Sequence, residues 1–193
     1  MQKEEKQYKH LAEPSEAQKK KPSLLAQVWS YVWPAAVCAA VLLVINTYFI
    51  FYATVPTESM KNLIQKDSYI LANRMAYMNR AVNRGDVIVF EQDERFLVKR
   101  VIAVAGDEVV LNGGSVYLNG EKLDESAYVL GHTYAFKERN AFTVPENCVL
   151  LFGDNRDNSQ DARLWKDPYV SLDDVVGRVF CVFSFRDGYF VTL

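Results

Sequence analysis

One membrane-spanning helix followed by a mainly β domain of antiparallel strands is the fold class that this chain predicts. Between Pro22 and Thr57 no residue is charged, and the run is long enough to cross the hydrocarbon core of a bilayer. Beyond it the apolar residues fall in short runs separated by turn residues, and long helical periodicity is missing. Asn112-Gly113-Gly114 sits between two alternating runs and Asn119-Gly120 follows shortly after; both are hairpin signals, since these residues tolerate the positive φ angles of tight turns.

Taken in chain order, residues 1–21 are rich in Lys, Glu and Gln with hardly any apolar content, which predicts a disordered tail. Residues 22–54 hold the membrane segment, with the helix itself expected from Pro34 to Ala53. Pro34 suits a first helical turn, where its missing donor is not needed, and Trp29, Tyr31, Trp33, Tyr48 and Tyr52 suit the two interfaces. A cleavable export signal competes with this reading, but the apolar run exceeds a normal signal core and Ala53-Thr54-Val55 is a poor cleavage pattern. Lys19-Lys20-Lys21 precedes the helix and the first charge after it is Glu58, so the positive-inside rule leaves the N-terminus in the cytoplasm. Residues 55–193 then form one domain outside the cytoplasm, with strands expected at Ser68–Ala72, Asp86–Phe90, Phe96–Ala105, Glu108–Leu111, Ser115–Leu118, Val149–Phe152, Val175–Ser184 and Tyr189–Leu193. Asp124 to Asn140 is expected to be irregular.

Composition bounds the function. A chain of 193 residues, 50% of them apolar, can bury one real core beyond the membrane segment. A net charge of −2 argues against nucleic acid as a partner. Of three cysteines, Cys38 lies in the apolar stretch; Cys148 and Cys181 are no disulfide framework, and two small apolar side chains are the simpler reading, with a single bridge left open.

The chemistry concentrates in three places. Ser59-Met60 follows the apolar run by a few residues, Lys99-Arg100 lies forty residues on, and Gly153 to Arg163 packs three aspartates, two arginines and two asparagines into eleven positions. A serine hydroxyl needs a base to become a nucleophile, and the chain has only two histidines, His10 on the cytoplasmic side and His132 in a loop without a carboxylate nearby. Lysine is left as the base by elimination. It serves only where desolvation lowers its pKa, and Lys99 lies between Phe96-Leu97-Val98 and Val101-Ile102-Ala103-Val104. Pattern alone leaves open an edge-strand lysine that wards off aggregation. The acidic loop has a rival reading as a calcium site, which its two arginines and the missing EF-hand spacing oppose; no metal or organic cofactor is expected.

Ser59-Met60, Arg84 to Phe90, Lys99 to Asp107 and Gly153 to Arg163 resemble, in order and spacing, the four boxes of bacterial type I signal peptidases. The resemblance runs from about Thr54 to the C-terminus. It implies an antiparallel β catalytic domain of signal-peptidase type, a Ser59–Lys99 dyad, and an oxyanion hole made by the Ser59 amide and the Thr57 hydroxyl. It further implies that Ser159 hydrogen-bonds the Lys99 side chain, that Asp161 and Arg163 form a supporting ion pair, and that Asp154 and Arg100 form a second. Val55, Pro56, Met60, Leu97 and Val98 are the implied substrate-binding positions, shallow and apolar, favouring small residues at the first and third positions before the cut. The implied partners are secretory preproteins, membrane lipid and a nearby protein export channel, with the protein a single-pass resident of the cell membrane. Glu58 before the serine, Asn62, Lys66-Asp67 and Ala162 depart from the family pattern.

Two other classes compete with a serine endopeptidase that removes signal peptides at the outer face of the cytoplasmic membrane. A non-catalytic membrane-anchored homologue that binds preproteins has no need to retain Ser59, Lys99, Ser159 and Asp161 together. A self-cleaving repressor-type protease lacks its DNA-binding domain here.

Overall fold

The computed structural model describes residues 23–134 and 140–193. The expected tail of 1–21, His10 and part of the irregular 124–140 stretch lie outside the described residues. Two compact units are present, one ending at Leu42 and one running from Leu43 to Leu193.

Helix α1 spans Leu24–Val44 and carries Pro34 in its interior, so the expected start at Pro34 is corrected. The segment Gln27–Phe49 is long and apolar enough to cross a membrane. A wide π-type turn, Ile45–Phe49, ends the helical run. The expected helix to Ala53 is also corrected at its C-terminal end, because β1 (Ile50–Val55) is a strand that pairs antiparallel with β2 (Ser68–Asn73). Its composition explains both the strand and the misreading. Ile50, Phe51, Tyr52, Thr54 and Val55 are β-branched or aromatic and favour a pleated surface, yet they continue an apolar run without a charge to mark the boundary.

The remaining strands are β3 (Val87–Gln92), β4 (Arg95–Val104), β5 (Glu108–Asn112), β6 (Ser115–Leu118), β7 (Glu121–Lys122), β8 (Ala141–Thr143), β9 (Cys148–Phe152), β10 (Tyr169–Ser171), β11 (Val175–Ser184) and β12 (Tyr189–Thr192). All eight expected strands are present within one or two residues, and β1, β7, β8 and β10 are additional. The large sheet runs β1-β2-β11-β3-β4-β9-β10, with β12 also on β11; the small sheet runs β7-β6-β5-β8. Both expected hairpin turns form: Gly113 and Gly114 take φ of 57° and 77°, and Asn119 and Gly120 take 51° and 86°.

Three apolar clusters hold the domain together. One gathers Phe51, Val55, Met60, Ile64, Ile70, Val89 and Val182, so the loop carrying Ser59 is anchored on both sides by core side chains. A second lies between the two sheets around Ile102, Val109, Phe142 and Phe152, and a third packs Ile88, Phe90, Val101 and Leu151. Strand β4 runs through the middle of this arrangement and is buried along most of its second half. Cys148 and Cys181 are free thiols on β9 and β11, one half-buried and one buried.

Phe51 is 8% exposed and meets Phe96 edge-to-face at 5.1 Å, whereas Tyr52 beside it is 66% exposed. Phe51→Ala should therefore lower the unfolding free energy of the domain by about 3 kcal/mol and Tyr52→Ala by less than ~0.5 kcal/mol. Denaturant titration of the full chain in detergent, followed by near-ultraviolet circular dichroism, measures both; equal effects would contradict the strand.

Candidate active site

Ser59 lies in the loop between β1 and β2. Met60 behind it is fully buried, and the amides of Leu63 and Ile64 donate to the Met60 carbonyl, closing one helical turn just after the serine. Lys99 projects from β4, where it pairs with Ile88 of β3. The two meet: Lys99 Nζ donates to Ser59 Oγ at 2.6 Å, and in the neutral amine the same contact runs in reverse, with the hydroxyl donating to the nitrogen lone pair. Thr57 Oγ1 lies 3.4 Å from Ser59 Oγ.

Burial dominates the electrostatics of the lysine. Only 4% of Lys99 is exposed, and desolvation lowers its pKa from 10.5 to about 8. Asp161 and Asp154 pull it upward and Arg163 pushes it down, but both carboxylates are already committed to arginines. Asp161 accepts from Arg163 Nε at 2.8 Å and Nη2 at 2.9 Å with neither side chain exposed. Asp154 accepts two bonds of 2.7 Å from Arg100, whose guanidinium also covers the Tyr128 ring at 4.2 Å. Burial pushes the Asp154 carboxyl up, opposed by these Arg100 bonds.

Gly153 lets the loop approach Ser59. A Cβ there would lie 2.5 Å from the Ser59 carbonyl oxygen and closer still to Ser159 Oγ, while its amide donates to Asp161 Oδ2 at 3.0 Å. Met60 Sδ accepts from the Asp154 amide at 3.4 Å.

Three expectations are corrected. The Ser159 hydroxyl is buried without a hydrogen-bond partner, so its expected bond to Lys99 is not formed; Ser159 is in extended backbone after the turn Arg156–Asn158, which lays the hydroxyl against Gly153. Val55 and Met60 are core side chains rather than surface ones, because the loop between them folds inward. Leu97 and Val98 pack into different clusters on opposite faces of β4, so they do not line one pocket; Val98 shares its cluster with Val55 and Met60, and Pro56 is exposed.

Other residues of this region carry no expectation from sequence. Arg156 is fully buried; it donates to both oxygens of Glu125, to Thr133 Oγ1 and, at 2.9 Å, to the Gly153 carbonyl. Asn155 bonds the serine loop through its backbone and side chain. Both stand inside the Gly153–Arg163 motif, but Glu125 lies in a stretch with no periodic signal. His132 is exposed against Tyr134.

The sequence pattern of the family described as "Signal peptidase, peptidase S26" matches residues 28–184. The chain belongs to this family. A relative named "Probable signal peptidase I-2" from Synechocystis sp. is 30% identical over 177 residues, covering 87% of this chain and 79% of its own. The signal peptidase I of Leptolyngbya laminosa is 29% identical, covering 86% and 83%. Signal peptidase IB of Staphylococcus aureus is 27% identical, covering 83% and 89%. A solved signal peptidase I of Enterococcus faecalis aligns with 51% of this chain and 97% of its own at 26% identity and a TM-score of 0.41. This signal peptidase is a serine protease of a membrane-associated family.

Two outcomes follow from the geometry. With Lys99 near 8, roughly a tenth of molecules hold the neutral amine at pH 7, so kcat/KM should rise with pH and level off above about 8, falling about tenfold per unit below it. Measured pH profiles with a fluorogenic peptide check this; a flat profile between pH 6 and 9 would contradict it. Gly153→Ala should leave the chain folded but cut kcat at least ~100-fold, because its Cβ displaces the Ser59 backbone.

Proposed function

We propose that Ser59 is the nucleophile and Lys99 the general base with which this signal peptidase cleaves N-terminal signal peptides from exported preproteins. The observation that carries the assignment is the 2.6 Å contact between a serine hydroxyl and a buried lysine amine whose pKa is lowered to about 8. Neutral Lys99 takes the Ser59 proton as Oγ attacks the scissile carbonyl. The Ser59 amide and the Thr57 hydroxyl stabilise the resulting oxyanion. Protonated Lys99 then donates to the leaving amine, and water, deprotonated by the same lysine, releases the acyl group from Ser59. Asp161–Arg163 and Asp154–Arg100 hold the surrounding loop, and Ser159 packs against Gly153 beside it.

Substrate recognition rests on backbone as much as on side chains. β9 pairs with β4 only from Arg100 onward, and among the described residues no strand pairs with that edge of Arg95–Lys99. An extended substrate segment can add to this edge, where exposed Pro56 and half-buried Val98 offer an apolar surface suited to small side chains at the first and third positions before the cut. The uncharged run before Glu58 and Lys19-Lys20-Lys21 support a single-pass anchor in the cell membrane, in contact with lipid, with a cytoplasmic N-terminus, placing the enzyme where preproteins leave an export channel.

Purified full-length protein in detergent, incubated with one preprotein, should release a mature chain whose new N-terminus follows a small residue. Ser59→Ala and Lys99→Ala should each abolish the cut and His132→Ala should not. Thr57→Val should lower kcat by roughly two to three orders of magnitude and Thr57→Ser should stay active. Cleavage persisting in either dyad variant would overturn the assignment.

A further inference from the structure

We infer that Asn155 is a positioning residue for the oxyanion hole, aiming the Ser59 amide by holding the carbonyl at the other end of the same peptide unit. This rests on the proposed role of the Ser59 amide as an oxyanion donor. Asn155 makes two bonds to the nucleophile loop. Its side-chain Nδ2 donates to the Glu58 carbonyl at 3.0 Å, and its backbone amide donates to the Ser59 carbonyl at 3.0 Å.

These two carbonyls bracket Ser59. The Glu58 carbonyl and the Ser59 N–H belong to one peptide unit, which is planar and trans, so they point in opposite directions. Fixing the oxygen fixes where the N–H points. The second bond fixes the peptide on the other side of the Ser59 Cα, so the pair leaves that Cα little freedom to rotate and sets the origin from which Oγ reaches Lys99. A bonded carbonyl also polarises its own amide, which strengthens the donor at the moment charge develops on the substrate oxygen.

Asn155 is itself held rigidly. It is 6% exposed, and it sits where Asp154–Asn155–Arg156 lies beside Leu130: the Leu130 amide donates to the Asp154 carbonyl and the Arg156 amide donates to the Leu130 carbonyl, both at 2.8 Å. Arg156, locked to Glu125, closes the next position. The irregular stretch that begins at Asp124 thereby serves as the far support of the oxyanion donor. An aspartate at 155 would match the asparagine in shape but present a carboxylate to the Glu58 carbonyl in place of a donor.

The test compares Asn155→Asp and Asn155→Ser in the full chain in detergent, both of which keep the backbone bond to Ser59. Turnover is expressed per active site, with Ser59→Ala run in parallel. Both variants should lose about ten- to a hundredfold in kcat, less than the loss on deleting a donor outright, with KM changed by less than about twofold. Affinity for a peptide aldehyde of the cleavage-site sequence, which forms a tetrahedral adduct with Ser59, should fall by the same factor. The acid limb of the pH profile should stay in place, because Lys99 is untouched. A structural role alone would reduce the fraction of active sites and leave kcat per site and aldehyde affinity at the wild-type level, and that result would overturn the inference. Full activity of the Asn155 variants beside an inactive Ser59→Ala removes only Asn155; activity in Ser59→Ala removes the proposed mechanism itself.

Discussion

A lysine amine held out of water is the constraint on which the site depends. Lys99 can act as a base near neutrality only if the interior disfavours its charge more strongly than nearby carboxylates favour it. Two aspartates lie close enough to raise its pKa, and each is paired with an arginine, Asp161 with Arg163 and Asp154 with Arg100. Those pairings leave burial as the largest effect on the amine. Removing Arg163 would take away a positive charge that pushes the Lys99 pKa down and leave Asp161 unpaired beside the amine, drawing that pKa back up.

The segment from Gly153 to Arg163 accordingly works as one brace. Its first residue admits the serine backbone by having no side chain, its third holds the two peptides around Ser59, and its last neutralises Asp161. Arg156 ties the brace to Glu125 and Thr133, so the less regular part of the domain supports the catalytic face. Serine and lysine come from a loop and a strand forty residues apart in sequence, and it is this brace, with the Met60 and Ile64 anchors, that brings the loop against β4.

Much of the fold was legible because strands announce themselves through short apolar runs and the turns through Asn-Gly and Gly-Gly. Strand β1 was not legible: an uncharged sequence serves a membrane helix and a sheet equally well, and only pairing with β2 decides the state of Ile50–Val55. Strands β7, β8 and β10, two or three residues each, are too short to show a period. Ser59 and Lys99 could be singled out because a histidine-poor chain leaves few bases. Glu125 could not, since a buried ion pair between distant segments has no local signature. The burial of Val55 and Met60 was not legible for a related reason: an apolar residue beside a polar one looks the same whether it faces a cleft or fills a core.

The protonation state of Lys99, on which the proposed chemistry depends, is open to direct observation. In the folded full-length chain labelled with 13C and 15N at lysine, the Lys99 side-chain resonances, assigned with Lys99→Arg, should titrate near pH 8, well below the ordinary lysine value of 10.5. A Lys99 amine that stays protonated up to about pH 10 would contradict the claim that burial in this fold makes it the base.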